Sequence, residues 1–289
     1  MTAPLLGAVI GSPVSHSLSP AIYSAAFAAR GLDGRYETVE TDAAACCARV
    51  ARLSSQGVRA ISVTMPLKEV VIECLDRIDD DARLLRAVNC VSIDDDGAIV
   101  GHNTDGDGCC DALEQQGAAT IAGAHAVVLG AGGAARSVVL ALVRRGAHVT
   151  VVNRSAARAD DLVTILSGVG PGSVVAGRTD AVSAASILVN TTSVGMGSKE
   201  TPIDVGLLHR GLVVLDAVYQ PMETALLAAS RAAGATVVDG LWMLIQQARR
   251  QCAHQFGWTP DAMPMRAAAE AVLASRANRS GSDTTPPVA

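Results

Sequence analysis

Residues 126–152, AVVLGAGGAARSVVLALVRRGAHVTVV, decide how the rest of the chain is read. Ala126–Leu129 is a short apolar, β-branched run and predicts a buried strand. Ala134–Arg145 has the composition of a helix, and His148–Val152 predicts a second strand. Strand, glycine-rich turn, helix and strand in that order make one βαβ unit. Gly130 permits the tight turn, and Gly132 allows a close backbone approach by a pyrophosphate. Ala135 stands where a third glycine is usual and is still small enough for helix–strand packing. The open N–H groups at the helix start favour an anion there. Gly130, Ala131, Gly132, Gly133 and Ala134 are therefore candidate dinucleotide-binding residues. An ordinary βα turn is the bland alternative, and the flanking elements argue against it.

The end of the next strand selects between dinucleotides. A site for NAD usually carries an acidic residue about 20 residues beyond the first glycine, where it binds the ribose 2′-hydroxyl. This chain has Asn153, Arg154 and Ser155 there, with Arg158 one turn later. An acid would repel a 2′-phosphate, whereas the two arginines can donate charge-assisted hydrogen bonds to it. The expected cofactor is NADP.

Outward from this unit the alternation continues. Strands are predicted at Leu5–Ile10, Tyr36–Val39, Ala60–Val63, Ile187–Asn190, Val213–Asp216 and Thr236–Val238. Helices are predicted at Ala21–Arg30, Gly106–Gln116, after Gly240 through His254, and at Ala262–Ser275. The expected class is α/β with two domains, an N-terminal α/β substrate domain and a Rossmann-type dinucleotide-binding domain. Residues 1–104 plus 241–275 are assigned to the first and 105–240 to the second, with 276–289 expected to lack fixed structure.

Composition removes other classes. Of 289 residues, 49% are hydrophobic and 18% charged, which supports a sizeable core. Net charge is −5, so nothing favours a nucleic acid or an anionic membrane as partner. The seven cysteines (46, 47, 74, 90, 109, 110 and 252) form no C-x-x-C, and reduced thiols with no metal site are expected. The N-terminus lacks a signal-peptide pattern, and Arg136, Arg144 and Arg145 interrupt the most apolar later stretch. A soluble, cytoplasmic protein follows as the expectation, monomeric or homodimeric.

Four further segments carry unusual polar density: Ser15–Pro20, Ser62–Lys68, Ala87–Asn89 and Gly101–Gly106. Each alone reads equally well as a cap or a turn. Together and in order they resemble the shikimate dehydrogenase family, over about residues 6–260. Ser17 and Ser19 match its S-x-S-P loop, and Thr64 and Lys68 its N-V-T-x-P-x-K segment. Asn89 matches G-A-V-N-T, and Asp105 matches N-T-D. Asp216–Pro221 with Thr224 matches D-x-x-Y-x-P-x-x-T, which includes Tyr219, and Gly240–Leu244 with Gln247 matches G-x-x-M-L-x-x-Q. Asn190–Met196 resembles the N-x-T-S-x-G-M segment. Ser62, Arg86 and Cys90 depart from the pattern, which has asparagine, glycine and threonine there.

The resemblance implies reduction of 3-dehydroshikimate to shikimate with NADPH, reversibly, in aromatic amino-acid biosynthesis. Lys68 and Asp105 would be catalytic. Ser17, Ser19, Thr64, Asn89, Tyr219 and Gln247 would join them around the substrate, with Thr192, Met196 and Gly240 beside the cofactor. A lysine ammonium suits the reaction because it stabilises a developing alkoxide and can donate its proton. A sibling enzyme acting on quinate or an amino analogue is the nearest rival. A cofactor-binding regulatory protein without catalysis is the rival of another class, and the presence of both Lys68 and Asp105 argues against it.

Overall fold

The computed structural model describes residues 4–282 of the chain. Its strands are β1 (Leu5–Gly11), β2 (Gly34–Glu40), β3 (Ala60–Val63), β4 (Arg77–Ile78), β5 (Cys90–Ile93), β6 (Ile99–His102), β7 (His125–Leu129), β8 (His148–Val152), β9 (Ser173–Ala176), β10 (Ile187–Asn190), β11 (Val213–Asp216) and β12 (Thr236–Val238). Its helices are α1 (Ser19–Ala29), α2 (Cys46–Ser55), α3 (Asp80–Leu85), α4 (Asp105–Gly117), α5 (Gly133–Arg144), α6 (Ala156–Leu166), α7 (Ala225–Ala232), α8 (Gly240–Phe256) and α9 (Ala262–Ser282).

Two compact units result. One contains the chain up to Asp79, Val88–His102, and the residues from Gln251 onward; the other contains Asp80–Ala87 and Asn103–Arg250. The expected border at 240/241 thus falls ten residues early, because Met243 is buried in the core of the second unit and Trp242 packs on it. Residues 80–87 also join that unit, through packing of α3 on α5.

The first unit holds a mixed six-stranded sheet in the order β2-β1-β3-β5-β6-β4. β1 pairs in parallel with β2 and β3, whereas β5 runs antiparallel to both β3 and β6. The amino end of β5 and the carboxyl end of β6 therefore lie on the same edge as the carboxyl ends of β1 and β3. Tyr23 and Phe27 of α1 are fully buried, and Tyr23 stacks on Tyr36 of β2 with ring centroids 3.9 Å apart.

The second unit holds an all-parallel six-stranded sheet in the order β12-β11-β10-β7-β8-β9. Counted from β7 this is the order 3-2-1-4-5-6 of a Rossmann sheet, whose strand order reverses between β7 and β10. Both faces are covered: α4 and α5 pack on one, and α7 with the segment around Val182 and Ile203 on the other. That double burial explains the unbroken apolar strands such as Ile187–Val189 and Val213–Leu215.

Two expectations need correction. Cys47 and Cys74 form a disulfide, brought together where α2 packs on the short 3-10 helix Val70–Cys74. The other five cysteines are buried free thiols, and burial pushes the Cys110 thiol up to about 12. The segment expected to be unstructured from 276 is helical as far as Ser282, with Arg276 donating to the His16 carbonyl at 3.0 Å. The remainder of that segment lies outside the described residues. Among the described residues no helix is long and apolar enough to cross a membrane.

Candidate active site

In the second unit the glycine turn lies at the switch point between β7 and β10. Gly130 has φ +113°, and a Cβ there would sit 2.7 Å from Thr191 Oγ1, so only glycine is accommodated. Gly132 and Gly133 are different. Gly132 has an extended backbone that any residue adopts, and a Cβ on either glycine would meet nothing within 4 Å. The turn thus leaves open ground at the start of α5, where no side chain caps the helix. Ala131 is buried, Ala134 half-buried, and Ala135 fully buried against the sheet. Uncapped N–H groups beside an open surface suit a pyrophosphate, so the residues present fit a dinucleotide.

The next strand ends at Val152. Asn153 Nδ2 donates to the Ser155 carbonyl at 2.9 Å, which shapes the turn into α6. Arg154, Ser155 and Arg158 are all exposed beyond the strand end. No acidic residue occupies the turn, in keeping with a 2′-phosphate rather than a free ribose hydroxyl.

Across the switch point, Thr192 follows β10. Its hydroxyl donates to Asn190 Oδ1 at 2.8 Å and accepts from the Val194 N–H. Met196, in the same loop, is exposed. Asn190, Asp216 and Thr224 form a buried set: Asn190 Nδ2 and Thr224 Oγ1 donate to the two oxygens of Asp216 at 2.8 and 2.7 Å. Burial pushes the Asp216 carboxyl up, against these bonds and that from the Val218 N–H. The set ties the loops after β10 and β11 together. In the sequence its members stand out only as pieces of motifs, since their meeting depends on Asn190 and Asp216 being opposite in the parallel register.

Asp105 opens α4 and is largely buried, its N–H held by Asn103 Oδ1 at 3.2 Å. One turn on, a Cβ at Gly108 would sit 2.5 Å from the Gln247 backbone nitrogen, so α4 and α8 run in close contact. Gln247 is itself buried, with Nε2 donating to the Leu244 carbonyl. Gly240 begins α8 against the loop after β11, where a Cβ would lie 2.5 Å from the Ala217 carbonyl oxygen. Tyr219 is half-buried in that loop. An ion network, absent from the sequence reading, fastens α4: Arg145 reaches Asp107 and Asp111, and Arg250 forks onto Asp111 at 2.6 and 2.8 Å. Burial alone would raise the Asp111 carboxyl, but the hydrogen bonds and charges of Arg250 and Arg145 prevail and hold it below the usual carboxylate range.

The first unit brings its five expected residues to one sheet edge. Ser17 lies in the loop after β1 and Ser19 opens α1, their hydroxyls 3.1 Å apart. Glu40, at the end of β2, accepts from Ser12 Oγ at 2.7 Å and from the Val14 N–H at 3.1 Å, and so pins that loop. Thr64 follows β3, with its N–H on the Ile10 carbonyl. Lys68 comes one turn later, half-buried, and its carbonyl accepts the Val88 N–H at 2.8 Å. Asn89, 2% exposed, sits opposite Val63, bonded through its own carbonyl to the Val63 N–H. Residues bearing hydroxyls, an amide and an amine thus lie beyond the carboxyl ends of β1 and β3, where α/β sheets commonly bind ligands.

A Rossmann sheet with a phosphate-ready turn in one unit, and an amine and several hydroxyls on one sheet edge of the other, are the features of a nucleotide-dependent dehydrogenase of small polar substrates. A family model for the shikimate dehydrogenase substrate-binding domain matches residues 9–91, and one for shikimate/quinate 5-dehydrogenase matches residues 112–194. An NADP(+)-dependent shikimate dehydrogenase of Natronomonas pharaonis is 41% identical over 92% of this chain and 98% of its own. Shikimate 5-dehydrogenase of Thermus thermophilus, solved in complex with NADP(H) and shikimate, has a TM-score of 0.84 and 35% identity, over 92% of this chain and 99% of its own. Ligand-free 5-ketofructose reductase of a Gluconobacter strain has a TM-score of 0.87 and 31% identity, over 94% and 100%. The chain belongs to the shikimate dehydrogenase family.

Proposed function

We propose that the chain is an NADP-dependent shikimate dehydrogenase, reducing 3-dehydroshikimate to shikimate and running in reverse when shikimate is supplied. The observation that carries this reading is the gathering of Ser17, Ser19, Thr64, Lys68 and Asn89 on one edge of the first sheet. The named relatives and the arginines after β8 support it.

NADPH, when bound on the glycine turn, supplies the hydride. Gly130 to Ala134 would hold the pyrophosphate, Arg154 and Arg158 the 2′-phosphate with Asn153 and Ser155 shaping the turn, and Thr192, Met196 and Gly240 the nicotinamide side. Ser17 and Ser19 would hold the ring carboxylate, with Thr64, Asn89, Tyr219 and Gln247 fixing the ring. Lys68 gives its ammonium proton to the ketone oxygen as the carbonyl becomes an alcohol, and recovers one from solvent. Asp105 would accept from a ring hydroxyl next to the reacting carbon. The same reading places the enzyme in the cytoplasm, as a monomer or homodimer acting on small molecules.

Steady-state assay of purified protein with shikimate, quinate, aminoshikimate and fructose, each with NADP⁺ and NAD⁺, and with 5-ketofructose plus NADPH, tests this. Shikimate with NADP⁺ should have the highest kcat/KM. Preference for another substrate by tenfold or more would overturn the assignment within the family.

A further inference from the structure

Ser62 stands where the family pattern has asparagine, and its surroundings account for what the hydroxyl does. It is buried on β3 between Tyr36 of β2 and Gln251 of α8. Two backbone groups fix the direction of every bond in the set. The Asn89 carbonyl can only accept, so Gln251 must turn its amide nitrogen toward it, at 3.0 Å. The Gln251 oxygen then faces Ser62 and Tyr23, and the Ser62 hydroxyl donates to it. The Ser62 N–H can only donate, and it donates to Tyr36 Oη at 3.1 Å. Tyr36 in turn donates to Ser62 Oγ at 2.7 Å. Burial pushes both tyrosines up from their ordinary value, so each remains a neutral phenol able to donate. The Ser62 hydroxyl has one proton, and that proton points into the unit. Toward any ligand it has at most one lone pair to offer.

The chain of bonds ends on the backbone of the residue whose side chain is the expected ring ligand. The Asn89 carbonyl receives Gln251 Nε2 and the Val63 N–H, and its N–H is held by the His102 carbonyl at 3.1 Å. We propose that Ser62 and Gln251 are positioning residues that hold the Asn89 backbone in place, and that Ser62 does not itself touch the ring acid. This rests on the dehydrogenase reading above, and it makes the corner of the substrate pocket at Ser62 one that supplies no hydrogen-bond donor.

The test is shikimate and NADP⁺ binding, by titration calorimetry, in wild type, Gln251→Leu, Asn89→Ala and the double variant. Gln251→Leu should weaken shikimate about tenfold, since it strips a buried bonding set of one partner. NADP⁺ affinity should change less than about twofold. In the Asn89→Ala background the same change should cost shikimate less than about twofold, because Gln251 acts through Asn89. Equal loss for both ligands, or full additivity with Asn89→Ala, would overturn the proposal.

Two gentler variants keep it testable if Gln251→Leu folds poorly. Tyr36→Phe retains the ring stack, deletes one hydroxyl, and should weaken shikimate about threefold. Ser62→Asn places a longer side chain between Tyr36 and Gln251 and should also weaken shikimate. Unchanged affinity in folded Tyr36→Phe, or tighter binding in Ser62→Asn, would refute it. If wild type prefers quinate or 5-ketofructose, the functional reading fails and the same series is read with that ligand. Wild type that binds none of them overturns both.

Discussion

The two units solve the placement of ligand groups in opposite ways. In the second, the cofactor turn is one contiguous stretch: a strand end, three glycines and a helix start within residues 129–135. In the first, the proposed substrate edge draws on separate segments around Ser17, Thr64, Lys68 and Asn89, joined only because β1, β3 and β5 are neighbours. A local site is written in backbone geometry and small residues. A distributed one is written in sheet register, and it is held by partners such as Glu40 and Gln251 that carry no motif of their own.

This contrast can be broken most sharply at Lys68. Lys68→Ala should lower kcat by roughly 100-fold or more, with a much smaller change in shikimate KM, because the ammonium acts mainly on the developing oxyanion. Stopped-flow or steady-state kinetics checks it, and an unchanged kcat would remove the substrate edge from the chemistry. A smaller effect is expected at the cofactor end. Arg154→Ala with Arg158→Ala should raise the KM for NADP⁺ about 10–30-fold while leaving that for NAD⁺ within about twofold, since the arginines answer only to the 2′-phosphate. Equal changes for both dinucleotides would show the arginines to be a solvated pair.

The smallest effect concerns how the second unit fastens α4. The Asp111 carboxyl is held below its unfolded value, so the unfolded chain binds more protons in that interval and stability rises with pH across it. The contribution is complete above the ordinary carboxylate value of about 4 and is lost as pH falls through the lower folded value. Thermal melts between roughly pH 3 and 7, which span that ordinary value, should show a decline in Tm toward acid. Asp111→Asn should have a lower Tm at neutral pH and a shallower decline. Identical slopes would place the acid sensitivity elsewhere.

The same contrast explains what could be read in advance. β3, β8, β10, β11 and β12 coincide with their predicted spans, because short, mostly apolar and β-branched runs bounded by turns read as strands. The hairpin of β5 and β6 was not foreseen. Its strands are four residues each and flank the acidic stretch Asp94–Asp96, so the segment reads as polar loop until β3 is there to pair with. α2 and its disulfide escaped for a related reason: Cys47 and Cys74 are 27 residues apart, and only packing brings them together. α9 outran its predicted end because Arg276 finds a carbonyl in the β1–α1 loop, a contact invisible to local propensity. The residues expected at the substrate edge were legible as family motifs. The Tyr36–Ser62–Gln251 set was not, since two of its members lie outside every motif and the third breaks one.

The most direct measurement is a crystal structure of the chain with NADP⁺ and shikimate bound. The account predicts Lys68 Nζ and an Asp105 carboxylate oxygen each within about 3.2 Å of the same region of the ring, one on the reacting hydroxyl and one on it or its neighbour. Shikimate bound with either side chain turned away from the reacting carbon, or seated on the far edge of the first sheet, would contradict it.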